Sequence, residues 1–370
     1  MSYPIVSRRV LTPMRYLEQV IRKNRPIQLT FFVTARCNSR CPFCFYLQEE
    51  NRKRDYGNEL SLEEVEKISS SMGSLLWLLY SGGEPFLRDD LVDITAAFYE
   101  NNRPWIITIP TNALMPREIE EKTRKILEVC GESVVAVKLS LDGLYRDHDA
   151  LRGVEGNFEK VMETYHRLQP FLKDYPNFEL GINTVFCRAN QEKVQEVVDY
   201  VRGMENIKTH TLSMIRGRLR EESYKDVDLE LYRKAIEKME SALKQGRSSI
   251  YSFPGARLKA AQDIMQRKLI YETIKEKRRL IPCYAGRLNL VLTEKGDVYP
   301  CELLTEKMGN VREHGYSIPE LLKTDQARLV ISDVEKGGCY CSHECYFMTN
   351  ILFNPGTYGK LIREYLSLLI

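Results

Sequence analysis

Cysteines are the residues of this 370-residue chain whose spacing most directly predicts chemistry. Three of the ten lie in one short segment, Cys37-Asn-Ser-Arg-Cys41-Pro-Phe-Cys44, directly after a β-rich run. A closed structural zinc site or an all-cysteine iron–sulfur cluster takes four ligands, so three thiolates leave one position open. The triplet therefore predicts an iron–sulfur cluster with one open iron. A zinc site completed by a distant His148 or His210 is the alternative.

A second group of cysteines lies near the end of the chain and contains Cys283, Cys301, Cys339, Cys341 and Cys345. Clustered thiols in a chain without a recognisable secretory signal favour metal binding over a disulfide framework. The two remaining cysteines, Cys130 and Cys187, stand alone beside apolar runs. We expect both to be buried, small hydrophobic side chains.

The elements that must position these thiols are indicated by alternating β-rich and helical patterns between residues 27 and 244. Six strands are predicted at 27–34, 75–80, 105–110, 134–141, 178–185 and 207–214. Helical patterns follow them at 61–72, 89–100, 116–129, 157–172, 191–202 and 228–242, and the first opens with the capping box Ser61-Leu-Glu-Glu64. Six βα units predict an α/β fold with a parallel sheet, either a barrel or doubly wound. Reactive groups should then lie at the C-terminal ends of the strands.

The first cysteine group resembles the radical S-adenosylmethionine (radical SAM) superfamily, whose C-x3-C-x2-C motif has an aromatic residue, here Phe43, before the third cysteine. The resemblance implies a partial (β/α)6 TIM barrel and a 4Fe–4S cluster bound by Cys37, Cys41 and Cys44. It also implies that the open iron binds S-adenosylmethionine, whose cleavage gives a 5′-deoxyadenosyl radical that abstracts a substrate hydrogen. We therefore expect a protein electron donor such as flavodoxin or ferredoxin.

Further contacts to S-adenosylmethionine are implied by the same resemblance. Ser81-Gly-Gly-Glu-Pro85 is similar to the family's GGEP motif, in which Gly82 and Gly83 allow close backbone approach and Glu84 accepts hydrogen bonds from the methionine ammonium. Asn112 is placed near the ribose at the end of the third strand. A simple helix cap formed by Thr111 and Asn112 is the alternative.

The fourth strand ends in a stretch that resembles the SLDG…HD…RG pattern of the peptide- and carbohydrate-modifying branch. By this resemblance Ser140 and Arg152 hold the methionine carboxylate, an anion suited to a guanidinium fork. Asn183 on the fifth strand and Met214 after the sixth are expected to line the ribose and adenine, unless they only pack or form turns. For His148 we expect a structural or capping role rather than proton donation.

The second cysteine group resembles the SPASM domain, which carries auxiliary iron–sulfur clusters. Cys283-x12-Gly296-x4-Cys301 is similar to its opening pattern, and Cys341-x3-Cys345 is similar to its C-x3-C element. The family's C-x2-C-x5-C run is shortened here to Cys339-Tyr-Cys341, and five thiols are too few for the roughly eight ligands of two clusters. We expect a twitch-like module with one auxiliary 4Fe–4S cluster bound by Cys283, Cys301, Cys345 and either Cys339 or Cys341. Zinc is the alternative.

The predicted organisation has five parts: a basic amphipathic segment (1–26), a core barrel (27–244), a helical linker (245–281), a SPASM/twitch-like auxiliary module (282–350) and a C-terminal helix (351–370). The charged run 267–279 predicts a solvent-exposed helix in the linker. We expect the N-terminal segment to pack against the barrel; weak contact with an anionic membrane surface is the alternative.

Composition excludes several classes of function. Lys and Arg exceed Asp and Glu only slightly, at 54 against 51, so we expect no nucleic-acid partner. No apolar run approaches the roughly 20 residues of a membrane span, and no secretory signal is recognisable. We therefore expect a cytoplasmic protein.

The leading functional hypothesis is a radical SAM oxidoreductase or maturase that modifies C–H bonds, or forms bonds oxidatively, in a peptide such as a ribosomally made precursor. The alternative is a dehydrogenase, epimerase or C–C bond-forming enzyme acting on a small molecule, such as a sugar, an aminocyclitol or a lipid. Only 26 residues precede the first strand, too few to form a separate peptide-recognition domain. This weakens the peptide hypothesis without excluding it. A non-catalytic iron–sulfur protein is disfavoured because the S-adenosylmethionine motifs are complete.

Overall fold

One nine-stranded sheet organises the protein, whose structure, a computed structural model, describes residues 13–46, 56–248 and 250–369. The strands are Gln28–Thr34 (β1), Trp77–Gly82 (β2), Ile106–Thr111 (β3), Val134–Ser140 (β4), Phe178–Phe186 (β5), Thr209–Met214 (β6), Asn289–Leu292 (β7), Asp297–Tyr299 (β8) and Gly309–Asn310 (β9). Their order is β6-β5-β4-β3-β2-β1-β7-β8-β9, and β1 to β6 pair in parallel. The predicted α/β fold with a parallel, barrel-like sheet is confirmed.

Helices cover the outer face of this sheet. The α-helices are Glu18–Ile21, Leu62–Ser71, Leu91–Asn102, Pro116–Val129, Tyr145–Arg152, Asn157–Leu168, Phe171–Asp174, Val194–Gly203, Leu229–Lys244, Ala256–Glu276, Ile318–Leu322, Asp325–Lys336, Glu344–Leu352 and Tyr358–Leu366. Short 3-10 turns occur at Pro13–Tyr16, Tyr56–Asn58, Pro85–Leu87, Glu222–Lys225, Val311–His314 and Pro355–Thr357. The helix expected at 157–172 is divided in two at Pro170, which cannot donate a backbone hydrogen bond.

Local sequence signals explain why the elements begin and pack where they do. Every residue of β1 is buried, as expected for a central parallel strand with both faces covered. The predicted capping box is present, since Ser61 Oγ accepts from the Glu64 amide and the Glu64 carboxylate accepts from the Ser61 amide at 2.9 Å. The isolated cysteines Cys130 and Cys187 are fully buried, as predicted.

The segment that carries the second cysteine group extends the barrel sheet. Strand β7 pairs in parallel with β1, and β8 and β9 continue from it in antiparallel pairing. Leu290, Leu292 and Val298 belong to the same hydrophobic core as the barrel helices. A hydrophobic core shared with the barrel therefore supports this segment, in addition to any metal.

The charged run 267–279 is exposed at Glu272 and at 275–278, which agrees with the solvent-exposed helix predicted there. The first half of the helix Ala256–Glu276 is mostly buried: Ala261 and Met265 belong to a hydrophobic cluster with residues of the helices Glu344–Leu352 and Tyr358–Leu366. Lys259, Asp263 and Arg267 of the same helix line the barrel interior, a position that its sequence did not predict.

The N-terminal segment is described only from residue 13, so Arg8 and Arg9, two of the basic residues behind the alternative of membrane contact, lie outside the described residues. Tyr16 is buried, and its hydroxyl donates a hydrogen bond to the Leu75 carbonyl, next to β2. The described part of this segment thus packs against the barrel. Within the described ranges, no helix combines the length and the apolar character needed to cross a membrane.

Candidate active site

The loop that follows β1 holds the first cysteine group at the C-terminal edge of the parallel strands. Its backbone is tied to two neighbouring loops, because Glu84 N donates to Arg36 O at 2.8 Å and Arg40 N donates to Arg152 O at 3.0 Å. A Cβ atom at Gly83 would lie 2.6 Å from the Arg36 carbonyl carbon, so this approach requires glycine. The GGEP segment therefore acts first as a support for the cysteine loop.

The thiols of this loop lie among groups that can stabilise negative sulfur. The Ser39 amide donates to Cys37 Sγ at 3.4 Å, and Arg152 Nη1 lies 3.7 Å from Cys41 Sγ. Burial raises the pKa of Cys37 to about 12 and also raises the pKa of Cys41, so thiolates here need a compensating cation. Soft thiol donors with N–H contacts to sulfur fit an iron–sulfur cluster. In the described ranges, no three Cys, His, Asp or Glu side chains already have metal-site geometry, so the ligand assignment stays a prediction.

Glu84 and Asn112 lie side by side beneath this loop. Glu84 is buried and accepts hydrogen bonds from the amides of Asn112 at 2.7 Å and Phe86 at 3.2 Å. Burial raises the pKa of Glu84 to about 7. The Asn112 side chain donates to Asn38 in the cysteine loop at 2.7 Å. Because the next helix, Pro116–Val129, begins after Met115, the helix-cap interpretation of Asn112 is wrong.

Arg152 forms an ion pair with Asp142, a buried carboxylate for which the sequence predicted no role. Its Nη2 lies 2.7 Å from Asp142 Oδ2, and its Nε has no hydrogen-bond partner among the described residues. His148 Nδ1 accepts from the Asp142 amide, which agrees with the structural role expected for His148. Ser140, the last residue of β4 and two residues before Asp142, is buried. The guanidinium is thus oriented by Asp142 and retains one edge for a ligand.

Asn183 and Met214 lie on the last two strands of the barrel. Asn183 Oδ1 accepts from Ser213 Oγ at 3.0 Å, and the Met214 amide donates to the Glu344 carboxylate at 2.9 Å. Both residues line the same cavity as Cys41 and Phe43. The structure therefore brings together, at one end of the barrel, residues that the sequence places over 170 positions apart.

A buried ion-pair network joins β6 to the second cysteine group, and sequence reasoning missed it. Arg216 pairs with Glu344 at 2.7 Å and with Glu302 at 3.5 Å, and Glu302 also contacts His343 at 2.9 Å. Although burial opposes it, His343 and Arg216 lower the pKa of Glu302 to about 2. The sequence does contain a sign of this network, because two of its carboxylates are next to predicted ligands: Glu302 follows Cys301, and Glu344 precedes Cys345.

The second cysteine group lies behind this network. Burial raises the pKa of Cys341 to about 12, and the neighbouring thiols Cys283 and Cys339 raise it further. Cys339 Sγ accepts a hydrogen bond from Arg279 at 3.0 Å. Cys345 lies instead beside Glu302 and Arg216 and faces the barrel cavity. Burial raises the pKa of Cys301, and Cys341 and Cys283 raise it further, so both thiols lie beside it; the choice between Cys339 and Cys341 as the fourth ligand stays a prediction.

The barrel interior forms a cavity of about 460 Å³, within the range of ligand-binding pockets. Cys41 and Cys44 line one part of its wall, and Cys345 lines another. Inward-facing residues of β2 to β6 line the rest. Thiols of both cysteine groups therefore line the same cavity.

Comparison with known proteins supports this arrangement. Residues 31–201 match the family model of the radical SAM superfamily. Fe-coproporphyrin III synthase from Methanosarcina barkeri (strain Fusaro / DSM 804) is 29% identical over 188 residues, which are 50% of this chain and 43% of that protein. The antilisterial bacteriocin subtilosin biosynthesis protein AlbA from Bacillus subtilis (strain 168) is 23% identical over 301 residues, 79% of this chain and 58% of AlbA. The chain thus spans less than two thirds of either relative.

The fold is shared with a solved structure, native anSMEcpe with bound AdoMet and Kp18Cys peptide. The two chains superpose with a TM-score of 0.58 at 18% sequence identity, over 93% of this chain and 98% of anSMEcpe. At this identity the similarity concerns the fold.

Proposed function

The chain belongs to the radical SAM superfamily, in its SPASM/twitch subgroup, and from this premise we propose that it oxidatively modifies a C–H bond of a peptide substrate. The observation that carries the proposal is the single cavity lined by thiols of both cysteine groups. A substrate held there can lose a hydrogen atom at one end and an electron towards the other.

The residues at the first end are assigned as follows. We propose that Cys37, Cys41 and Cys44 hold the 4Fe–4S cluster, and that S-adenosylmethionine contacts Phe43, Gly82, Gly83, Glu84, Asn112, Ser140, Arg152, Asn183 and Met214. When bound, these cofactors supply one-electron sulfonium cleavage and a 5′-deoxyadenosyl radical that removes a substrate hydrogen. The protein's own contribution is to orient charge: Glu84 accepts from an ammonium, and Asp142 holds Arg152 towards a carboxylate.

The residues at the other end are assigned to one auxiliary 4Fe–4S cluster. We propose Cys283, Cys301, Cys341 and Cys345 as its ligands, with Cys339 as the spare thiol. Dehydrogenation balances if the substrate loses one hydrogen atom to the radical, one electron to this cluster and one proton to solvent. The network of Arg216, Glu302 and Glu344 fixes Cys345 at the cavity wall.

Two relatives support different substrates. AlbA, by its name, takes part in bacteriocin biosynthesis, and anSMEcpe is known with a bound peptide, which favours the peptide hypothesis. The similarity to Fe-coproporphyrin III synthase favours the alternative, a small-molecule substrate. We also propose the domain boundaries given above, a cytoplasmic location and a flavodoxin- or ferredoxin-type electron donor.

The function is tested by incubating the reconstituted enzyme anaerobically with S-adenosylmethionine, a reductant and fractionated peptide or small-molecule extracts. We expect 5′-deoxyadenosine to form in a substrate-dependent way, with a peptide product lighter by two hydrogen atoms in mass spectrometry. An epimerised product would instead keep its mass in water and gain one unit in heavy water. Dependence on non-peptide fractions alone would transfer the proposal to the small-molecule alternative.

Glu84→Gln is expected to weaken S-adenosylmethionine binding by about tenfold to a hundredfold, because a charge-assisted hydrogen bond contributes roughly 1.5–3 kcal/mol. The iron content should stay near normal, since the amide keeps the shape of the side chain. Equilibrium dialysis with labelled S-adenosylmethionine measures the affinity. Glu63→Gln, which removes a surface ion pair with Lys67, is the matched control. Equal affinity in both variants would remove Glu84 from the site.

A further inference from the structure

A lysine, Lys138, lines the barrel interior below the candidate active site. Lys138 lies on β4 two residues, or about 7 Å, before Ser140, and both side chains face the same side of the sheet. Its amine passes over Gly181 of β5 and donates a hydrogen bond to Thr209 Oγ1 on β6. A Cβ atom at Gly181 would lie 2.8 Å from the Thr209 carbonyl oxygen and 2.6 Å from Lys138 Nζ, so a side chain here would crowd the backbone of β6 as well as the amine.

A tyrosine and a second lysine reach the same place from the segment that precedes β7. The Tyr251 ring centroid lies 5.9 Å from Lys138 Nζ and 5.3 Å from Lys259 Nζ. The Tyr251 hydroxyl donates to Asp263 at 2.9 Å, and Asp263 also forms an ion pair with Lys259. Asp263 therefore neutralises Lys259 and is not available to Lys138.

Arg267 completes the cluster from the helix Ala256–Glu276. Its Nη2 donates to the His210 carbonyl at 3.1 Å, while its buried Nη1 has no hydrogen-bond partner among the described residues. The other nearby carboxylate, Glu179, accepts from the Ser252 amide at 2.6 Å, and burial raises its pKa. Within residues 13–46, 56–248 and 250–369, no carboxylate forms an ion pair with Lys138 or Arg267.

Other buried cations of this protein, unlike Lys138 and Arg267, form ion pairs with carboxylates of the described residues. Arg88, Arg152 and Arg216 each pair with at least one carboxylate. An unpaired charge in a low-dielectric interior is costly, so proteins keep one mainly where a ligand completes it. The described residues that line the whole cavity include nine Lys or Arg but only four Asp or Glu. Five of these cations form ion pairs, some with carboxylates outside the cavity lining. The four that form no ion pair with a described carboxylate are Lys138, Lys208, Arg247 and Arg267.

We propose that Lys138, Thr209 and Arg267, with the Tyr251 ring packed beside the Lys138 amine, form an anion site that binds a carboxylate or phosphate group of the substrate. This proposal rests on the proposed function and specifies its substrate. The anionic group of the substrate binds at Lys138 in the lumen, and the C–H bond that reacts lies nearer the cysteine loop, at the level of Ser140. Burial and the adjacent Lys259 lower the pKa of Lys138 to about 8, which leaves its amine mostly charged at neutral pH. A peptide would present an acidic side chain or its carboxyl terminus there.

The test measures anion binding without turnover, on the full-length, cluster-loaded enzyme under anaerobic conditions. Isothermal titration calorimetry uses tricarballylate as the carboxylate probe and inorganic pyrophosphate as the phosphate probe. We expect one of them to bind saturably, with affinity at least tenfold weaker in Lys138→Met and in Arg267→Met. Lys125→Met, which removes a surface lysine paired with Glu121, should bind like the wild type. The tighter probe identifies the anion class.

A second measurement on the wild-type enzyme needs no variant to fold. Reductive methylation followed by mass spectrometry should label Lys138, and the bound probe should reduce that labelling at least fivefold while Lys125 stays labelled. Absence of saturable binding with both probes, or unchanged affinity in both lumen variants, would overturn the anion site. Anion binding without any substrate-dependent 5′-deoxyadenosine would instead contradict the proposed reaction. A confirmed substrate without an acidic group would contradict the anion site alone.

Discussion

Replacing Cys37, Cys41 and Cys44 together with alanine is expected to abolish S-adenosylmethionine cleavage. The variant should also lose about four of the roughly eight irons that two 4Fe–4S clusters contain. The physical reason is that these thiols are the only soft donors in the loop after β1, and the open coordination position disappears with them. Iron assay, visible absorbance and chromatography of 5′-deoxyadenosine measure the result on anaerobically reconstituted protein.

The matched control for this triple variant is Cys130→Ala combined with Cys187→Ala. Both thiols are fully buried in hydrophobic clusters and neither is a proposed cluster ligand, so this variant should retain all its iron. Continued 5′-deoxyadenosine production by the triple variant would show that the cluster assignment is wrong.

Cys345→Ala is expected to give the second large effect, a separation of cofactor cleavage from product formation. The first cysteine group stays intact, so 5′-deoxyadenosine should still form at a rate near that of the wild type. Product should fall below detection, because the substrate radical has lost the acceptor at the cavity wall that Cys345 lines. Mass spectrometry of substrate and product, with 5′-deoxyadenosine measured in the same samples, checks this result.

Cys187→Ala serves as the control for a buried thiol that carries no metal, and it should keep both activities. If Cys345→Ala aggregates or melts early, the auxiliary module is structural rather than an electron acceptor, as small metal-held modules often are. Normal product yield from a soluble Cys345→Ala protein that lacks the second cluster would contradict both roles.

Sequence periodicity predicted a parallel α/β sheet, and the resemblance to the radical SAM superfamily implied that this sheet is a barrel and which chemistry its rim carries. Strand and helix periodicity is local, so the six βα units were visible without any tertiary contact. Parallel strands place the ends of successive units at one edge of the sheet, which is why Cys37, Glu84, Asn112 and Ser140 could be expected to meet.

Only the tertiary structure decided how the rest of the chain joins this barrel. The four residues of β7 carry no signal that their partner is β1, since parallel pairing leaves no mark on either strand alone. The ion pairs of Arg216 with Glu302 and Glu344 join residues 86 and 128 positions apart. The position of Lys259, Asp263 and Arg267 at the wall of the lumen likewise follows from packing and cannot be predicted from the sequence of their helix.

The anion site shows the same division most clearly. Lys138 and Arg267 are ordinary charged residues in the sequence, and neither belongs to a motif. Their meaning depends on whether a carboxylate lies within reach in space, and that follows from packing rather than from spacing along the chain. Sequence therefore determined which chemistry the barrel rim can support, whereas the fold decided which charges remain unneutralised inside the lumen, because neutralisation is a property of three-dimensional neighbours.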